Sequence, residues 1–124
     1  MSSAIYDVYS KVDDGYVVEC DHEDLRELNL SGAELSGDRF IDCDLRWSDW
    51  HGSTLRGVIF IRCSFDGADF SASAHYGTEF TDCTGIPTAN FDGSTGDDVD
   101  IDGEETYWYG EEVYWYGEEF DDES

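Results

Sequence analysis

The sequence predicts a repeat fold built of short stacked coils, and three regularities in residues 23–91 carry that prediction. Counting by fives from Leu25 meets Leu25, Leu30, Leu35, Phe40, Leu45, Trp50, Leu55, Phe60, Phe65, Phe70, His75 and Phe80, eleven of the twelve being large and apolar. A helix repeats its buried face every 3.6 residues and a strand every 2, so neither generates a period of five. Two residues earlier stands a mostly small or compact side chain (Ala33, Cys43, Ser48, Ser53, Val58, Cys63, Ala68, Ser73, Thr78), and two residues later glycine follows in six of twelve cases. The segments FIDCDL (40–45), FIRCSF (60–65) and FTDCTG (80–85) add a second period of 20. A large inward residue, a small inward residue and then a turn make up each unit.

The quintets Ser31-Gly32-Ala33-Glu34-Leu35 and Asp66-Gly67-Ala68-Asp69-Phe70 resemble the A-(D/N)-L-x-x motif of the pentapeptide-repeat family, and the resemblance covers about residues 23–91. It implies an all-β, right-handed quadrilateral β-solenoid with four quintets per coil, so that twelve quintets make about three coils. The period of 20 is then one coil. Ladders such as Leu30/Trp50/Phe70 and Phe40/Phe60/Phe80 fill a dry interior together with Leu35, Leu45, Leu55 and Phe65, while Arg26, Arg46, Arg56 and Arg62 point outward. Each coil hydrogen-bonds to the next at about 4.8 Å, and no single coil is stable alone. Departures from the pattern mark its ends: His75 takes a central position, Glu23 and Asp38 take small-residue positions, and Ala89-Asn90-Phe91 resumes one residue out of phase after Pro87.

The remaining segments follow in order. Residues 1–22 carry Tyr6, Val8, Val12, Tyr16, Val17 and Val18 around Asp13-Asp14-Gly15, which reads as a short hairpin capping the first coil. A cap is needed because an open coil edge invites aggregation. Residues 92–105 begin with Asp92-Gly93-Ser94-Thr95-Gly96-Asp97-Asp98 and read as an acidic flexible linker. Residues 106–124 form a tail expected to be disordered and extended, because residues 92–124 hold 14 acids and no base.

Composition excludes several functions. A formal charge of −25, from 31 acidic and 6 basic side chains, opposes free binding to DNA or RNA. No run approaches the roughly 18 apolar residues of a membrane span, and MSSAIYDVYS lacks the basic start and apolar stretch of a secretory signal, so a cytoplasmic location is expected. Lys11 is the one amine side chain beside five arginines, which fits a GC-rich genome better than a salt-loving source, because the acids cluster. Cys43, Cys63 and Cys83 stand 20 apart at the small inward position with no C-x₂-C pair, so one column cannot supply four convergent zinc ligands. They read as buried packing residues, and Cys20 as part of the cap. His22 and His51 read as surface residues, and His75 as half-buried or part of a docking surface. Nothing assembles a nucleophile, a base and an oxyanion donor, so no catalytic residue, metal or cofactor is expected, and the chain reads as a non-enzyme.

The tail repeats itself. Residues 106–120 read T-YWYGEE-V-YWYGEE-F, so Tyr107 to Glu112 recurs unchanged as Tyr114 to Glu119 on a period of seven. Gly110 and Gly117 disfavour a helix, and paired glutamates give no heptad seam. Aromatic residues gain much by burial as a hairpin or against the solenoid, yet burial does not require two identical hexapeptides. A folded N-terminal domain, an acidic spacer and short C-terminal repeats resemble in layout the precursors of ribosomally synthesised and post-translationally modified peptides, in which a leader recruits the enzyme and core units are altered. That resemblance implies a modifying enzyme as partner. The units lack Cys, Ser and Lys, and Thr106 is matched by Val113, so thioether rings, azoles and Thr-to-Glu esters are excluded as a repeated change. Oxidative chemistry at Tyr107, Trp108, Tyr109, Tyr114, Trp115 and Tyr116 remains: cross-linking, hydroxylation or halogenation.

Three rivals stand beside this reading. The two hexapeptides suit a bivalent interaction motif acting through avidity. Some pentapeptide-repeat proteins mimic DNA and modulate a topoisomerase, but three coils span only about 14 Å against a duplex turn of about 34 Å. Calcium binding finds no matching loop spacing.

Overall fold

A computed structural model describes residues 3–97, 99–102, 104–109 and 112–115, the last two stretches by their backbone. The architecture is a parallel β-solenoid of four stacked coils. One face is the ladder of β2 (Glu34–Ser36), β4 (Thr54–Arg56), β6 (Ala74–Tyr76) and β8 (Thr95–Asp97). A second is the ladder of β1 (Glu19–Asp21), β3 (Arg39–Ile41), β5 (Ile59–Ile61), β7 (Glu79–Thr81) and β9 (Val99–Ile101). The other two are single-residue ladders, Asp24/Asp44/Ser64/Thr84 and Asn29/Asp49/Asp69/Asn90.

The quintet explains each corner. The Asp or Asn before a central residue accepts the backbone N–H two positions on, as Asn29 does from Ser31 (3.0 Å), Asp49 from His51 (3.0 Å) and Asp69 from Ser71 (2.8 Å). This is an Asx turn, for which those residue types are suited. The small inward serines tie the turn from inside: Ser48, Ser53, Ser73 and Ser94 donate to the carbonyls of Leu45, Trp50, Phe70 and Phe91 at 2.6–2.7 Å.

The central residues build the core. Leu30, Leu35, Phe40, Leu45, Trp50, Leu55, Phe60, Phe65, Phe70 and Phe80 are all buried. Phe40, Phe60 and Phe80 stack at 5.3 and 5.1 Å, and Trp50, Phe70 and Phe91 at 5.4 and 5.1 Å. The two columns meet edge to face, Phe40 and Trp50 at 6.0 Å and 88°. Such pairs contribute about 0.5–1.5 kcal/mol each beyond their buried area.

Two expectations are corrected. The N-terminal cap is the helix α1 (Ser3–Asp14), not a hairpin. Ile5, Val8 and Val12 fall at helical spacing and pack on the first coil, and the Tyr9 hydroxyl accepts the Asn29 N–H at 2.8 Å. Asp13-Asp14-Gly15 ends the helix as a Schellman motif: Gly15 N–H donates to Val12 O, Tyr16 N–H donates to Lys11 O, and Gly15 takes φ 79°.

The solenoid also runs on through residues 92–97 and 99–102, where a flexible linker was expected. A 3₁₀ turn at Ile86–Thr88 absorbs one additional residue, after which Ala74 pairs with Thr95 and Phe80 with Ile101. Phe91, Ser94, Val99 and Ile101 are buried as in the coils below. Gly85 opens this turn at φ 82°, and a Cβ there would sit 2.4 Å from the Asp66 nitrogen.

Past β9 lie β10 (Glu104–Tyr109) and β11 (Glu112–Trp115), which form an antiparallel hairpin on β9, and residues 116–124 of the tail lie outside the described residues. β10 lies against both β8 and β9, at the C-terminal end of the solenoid.

Candidate functional site on the outer faces and the hairpin

The buried core residues shape the rod, so any partner meets the side chains around them. On the face carrying Asp24 and Asp44, each aspartate grips the arginine two residues on: Arg26 reaches Asp24 at 2.9 and 2.7 Å, and Arg46 reaches Asp44 at 2.8 and 2.7 Å. The Arg26 hydrogen bonds hold the Asp24 carboxyl down at about 2. Exposure makes these pairs weak contributors to stability. Trp47, about half exposed, lies over Gly67 with the Arg46 guanidinium 5.2 Å from its ring. On another face Arg56 covers Tyr76 at 4.6 Å.

His22, Asp42, Arg62, Asp82 and Asp102 line one corner, and all have φ of 52–60° although none is glycine. His22 donates from Nδ1 to Asp21 at 2.5 Å and faces Asp42 at 3.4 Å. Asp21, His22 and Asp42 are the group whose ligand atoms converge among the described residues. Arg62 already holds both Asp42 oxygens, at 2.7 and 2.9 Å, so the arrangement is an ion-pair ladder.

His51, Ser71 and Asp69 also come together. His51 Nδ1 lies 2.9 Å from Ser71 Oγ, and Ser71 donates to Asp69 at 2.6 Å. Because the serine proton already goes to the carboxylate, the imidazole does not act as its base, and the trio closes a turn.

Cys43 and Cys63 are buried as their spacing predicts, Cys83 is only half-buried at the end of the column, and all four cysteines are free thiols. Cys63 donates to the Phe40 carbonyl at 3.2 Å and Cys83 to the Phe60 carbonyl at 3.4 Å. Hydrogen bonds with Cys43 and Cys83, together with burial, push the Cys63 thiol up, and their side of those contacts holds Cys43 and Cys83 down. Burial pushes Cys20 up to about 12.

His75 departs from the half-buried or docking role expected of it, because it is fully buried under Leu55 in the stack. Its Nε2 lies 2.8 Å from Ser73 Oγ, and Ser73 itself donates to Phe70 O. Trp50 uses the same device, donating from Nε1 to Ser48 at 2.7 Å while Ser48 donates to Leu45 O. A ring N–H two residues after a small inward serine is satisfied by that serine, a signal present in the sequence at both places.

Of the six tail residues singled out, Tyr107, Trp108 and Tyr109 lie on β10, Tyr114 and Trp115 lie on β11, and Tyr116 falls outside the described residues. The hairpin register sets Thr106 opposite Trp115, Tyr107 opposite Tyr114, Trp108 opposite Val113 and Tyr109 opposite Glu112. No helix among the described residues is long and apolar enough to cross a membrane.

Residues 39–73 match the family model for pentapeptide repeats, in eight copies. No curated protein matches the chain. Among solved structures, a pentapeptide repeat protein from the cyanobacterium Cyanothece 51142 aligns at TM-score 0.59 and 19% identity, over 68% of this chain and 60% of that one. A pentapeptide repeat protein from the Arabidopsis thaliana thylakoid lumen aligns at 0.48 and 27%, over 65% and 59%. A plasmid-mediated fluoroquinolone resistance protein aligns at 0.29 and 13%, over 67% and 55%. The chain thus matches about three fifths of the length of the first two structures. Residues 39–73 thus carry pentapeptide repeats, and the first superposition shows the solenoid fold.

Proposed function

We propose that this pentapeptide-repeat solenoid is the folded leader of a cytoplasmic precursor whose C-terminal hexapeptides are modified by a separate enzyme, the chain being substrate and not catalyst. The observation that carries the reading is the exact duplication of YWYGEE. Packing asks for apolar surface and not for identity, whereas an enzyme reading each copy the same way asks for identity. The reactive groups are the rings of Tyr107, Trp108, Tyr109, Tyr114, Trp115 and Tyr116. A rigid rod tethered to a short tail raises the tail's effective concentration at an enzyme bound to the rod. A hairpin whose last strand is the end of its sheet among the described residues opens at small cost.

Intact and tandem mass spectrometry of the protein from its native host tests this. Loss of hydrogen pairs, or added oxygen or halogen, within residues 107–120 is the expected result. An unmodified chain, with neighbouring genes expressed, overturns it. The pairing of the two copies on adjacent strands favours one other reading, a bivalent module presenting both hexapeptides to one partner without covalent change. Deleting one copy then weakens binding by far more than twofold. Topoisomerase modulation by DNA mimicry fits less well: four coils rise only about 19 Å, well short of a duplex turn of about 34 Å, and arginines interrupt the acidic faces.

A further inference from the structure

We propose that Tyr107 and Tyr114 are the pair that oxidation joins, giving one covalent bridge between the two hexapeptide copies instead of one change in each. The proposal rests on the reading of the tail as an oxidised substrate and names the bond. Equivalent positions of the two copies are seven residues apart. In an antiparallel hairpin only one such pair stands directly opposite, and the register makes it Tyr107 and Tyr114. Opposite residues of an antiparallel ladder have Cα atoms about 4.5–5.5 Å apart, a separation that neighbouring phenols span. The other three pairings of the hairpin, Thr106 with Trp115, Trp108 with Val113 and Tyr109 with Glu112, each hold a single aromatic residue. Tyr6, Tyr9 and Tyr16 belong to the N-terminal cap and its exit, and Tyr76 to β6, so the tail supplies the pair.

The chemistry balances with a peroxide as terminal oxidant. Each phenol gives up one electron and one proton, the two phenoxyl radicals couple through their ortho carbons, and tautomerisation restores both rings. Two hydrogens leave the chain, and one hydrogen peroxide becomes two waters.

Purified full-length protein at micromolar concentration, treated with a peroxidase and limiting hydrogen peroxide, tests the pair. Cleavage after glutamate separates Tyr107 from Tyr114 at Glu111 and Glu112. The expected product is peptide 106–111 joined to peptide 113–118 at their summed mass less two hydrogens, with dityrosine fluorescence. Tyr107→Phe and Tyr114→Phe should each abolish it, and Tyr109→Phe should leave it. Equal yield in concentrated urea, a bridge to Tyr109 or Tyr116, or no joined peptides overturns the assignment. Protein from the native host separates the two levels. One change per copy without a bridge overturns the pair and leaves the substrate reading, whereas an unmodified native chain that still bridges in vitro overturns the substrate reading and leaves the pair.

Discussion

Replacing His75 by leucine should remove most of the acid sensitivity that the solenoid owes to its core. His75 is buried among Phe70, Phe80 and Phe91, and burial holds its imidazole down at about 3, against an ordinary 6.5. The unfolded chain therefore takes up the proton first. The stability at stake is fully present above about pH 7.5 and is lost as the pH falls from about 6.5 towards 3. Each unit below 6.5 costs about 1.4 kcal/mol, so the loss is about 2.7 kcal/mol at pH 4.5 and levels off near 5 kcal/mol. Against a total of about 5–15 kcal/mol this is a large share. Leucine continues the column that Leu55 begins, and Ser73 keeps its own acceptor at Phe70 O. Urea unfolding of parent and variant at several pH values, taken as a difference, cancels the carboxylates and the net charge common to both. That difference should move by about 2–3 kcal/mol in favour of leucine between pH 7.5 and 4.5. A difference constant to within about 0.5 kcal/mol would refute the argument, because His75 would then titrate alike in the folded and unfolded chains.

Three further predictions concern the same rod. Burial raises the Asp38 carboxyl, partly offset by the Val18 N–H that it accepts at 2.8 Å. Asp38→Asn keeps that acceptor without the charge, so it should raise the urea midpoint at neutral pH, with the gain fading as the pH falls towards about 4, because the buried parent carboxyl takes up its proton before the unfolded one does. Gly85→Ala should destabilise by about 2 kcal/mol or more in thermal unfolding, since its Cβ meets the Asp66 backbone and its φ of 82° is left-handed. Ala72→Gly should stabilise by about 1 kcal/mol in the same assay, because Ala72 sits at φ 57° at a coil corner, where glycine carries no Cβ penalty.

The period of five was enough to find the coils, because it buries every fifth side chain, a spacing that neither a helix nor a strand produces. Its continuation was legible too: Phe91, Gly96 and Ile101 keep the count, with Ser94 and Val99 at the small positions. What hid it was chemical ambiguity. Gly, Asp, Ser and Thr mark linkers, but in this fold they also mark every corner, so Asp92 to Asp97 carries the composition of both. The cap segment is ambiguous for a related reason. Asp13-Asp14-Gly15 suits a hairpin turn or a helix end, and the spacing of Ile5, Val8 and Val12, more than the glycine, decides for the helix. At the tail, the duplication was visible as letters, but which residues face each other depends on the hairpin register, which no repeat in the sequence states.

The single-residue insertion at the 3₁₀ turn has a practical meaning for engineering the rod. Below it, Ser64 pairs with Thr84 at an offset of 20, and beyond it every ladder resumes at 21 without loss of parallel pairing. One corner has absorbed a change of length while the other three faces kept their course. That corner is a port: a longer guest segment entered between Gly85 and Thr88 would project from the side of the rod and leave the coils above and below in register.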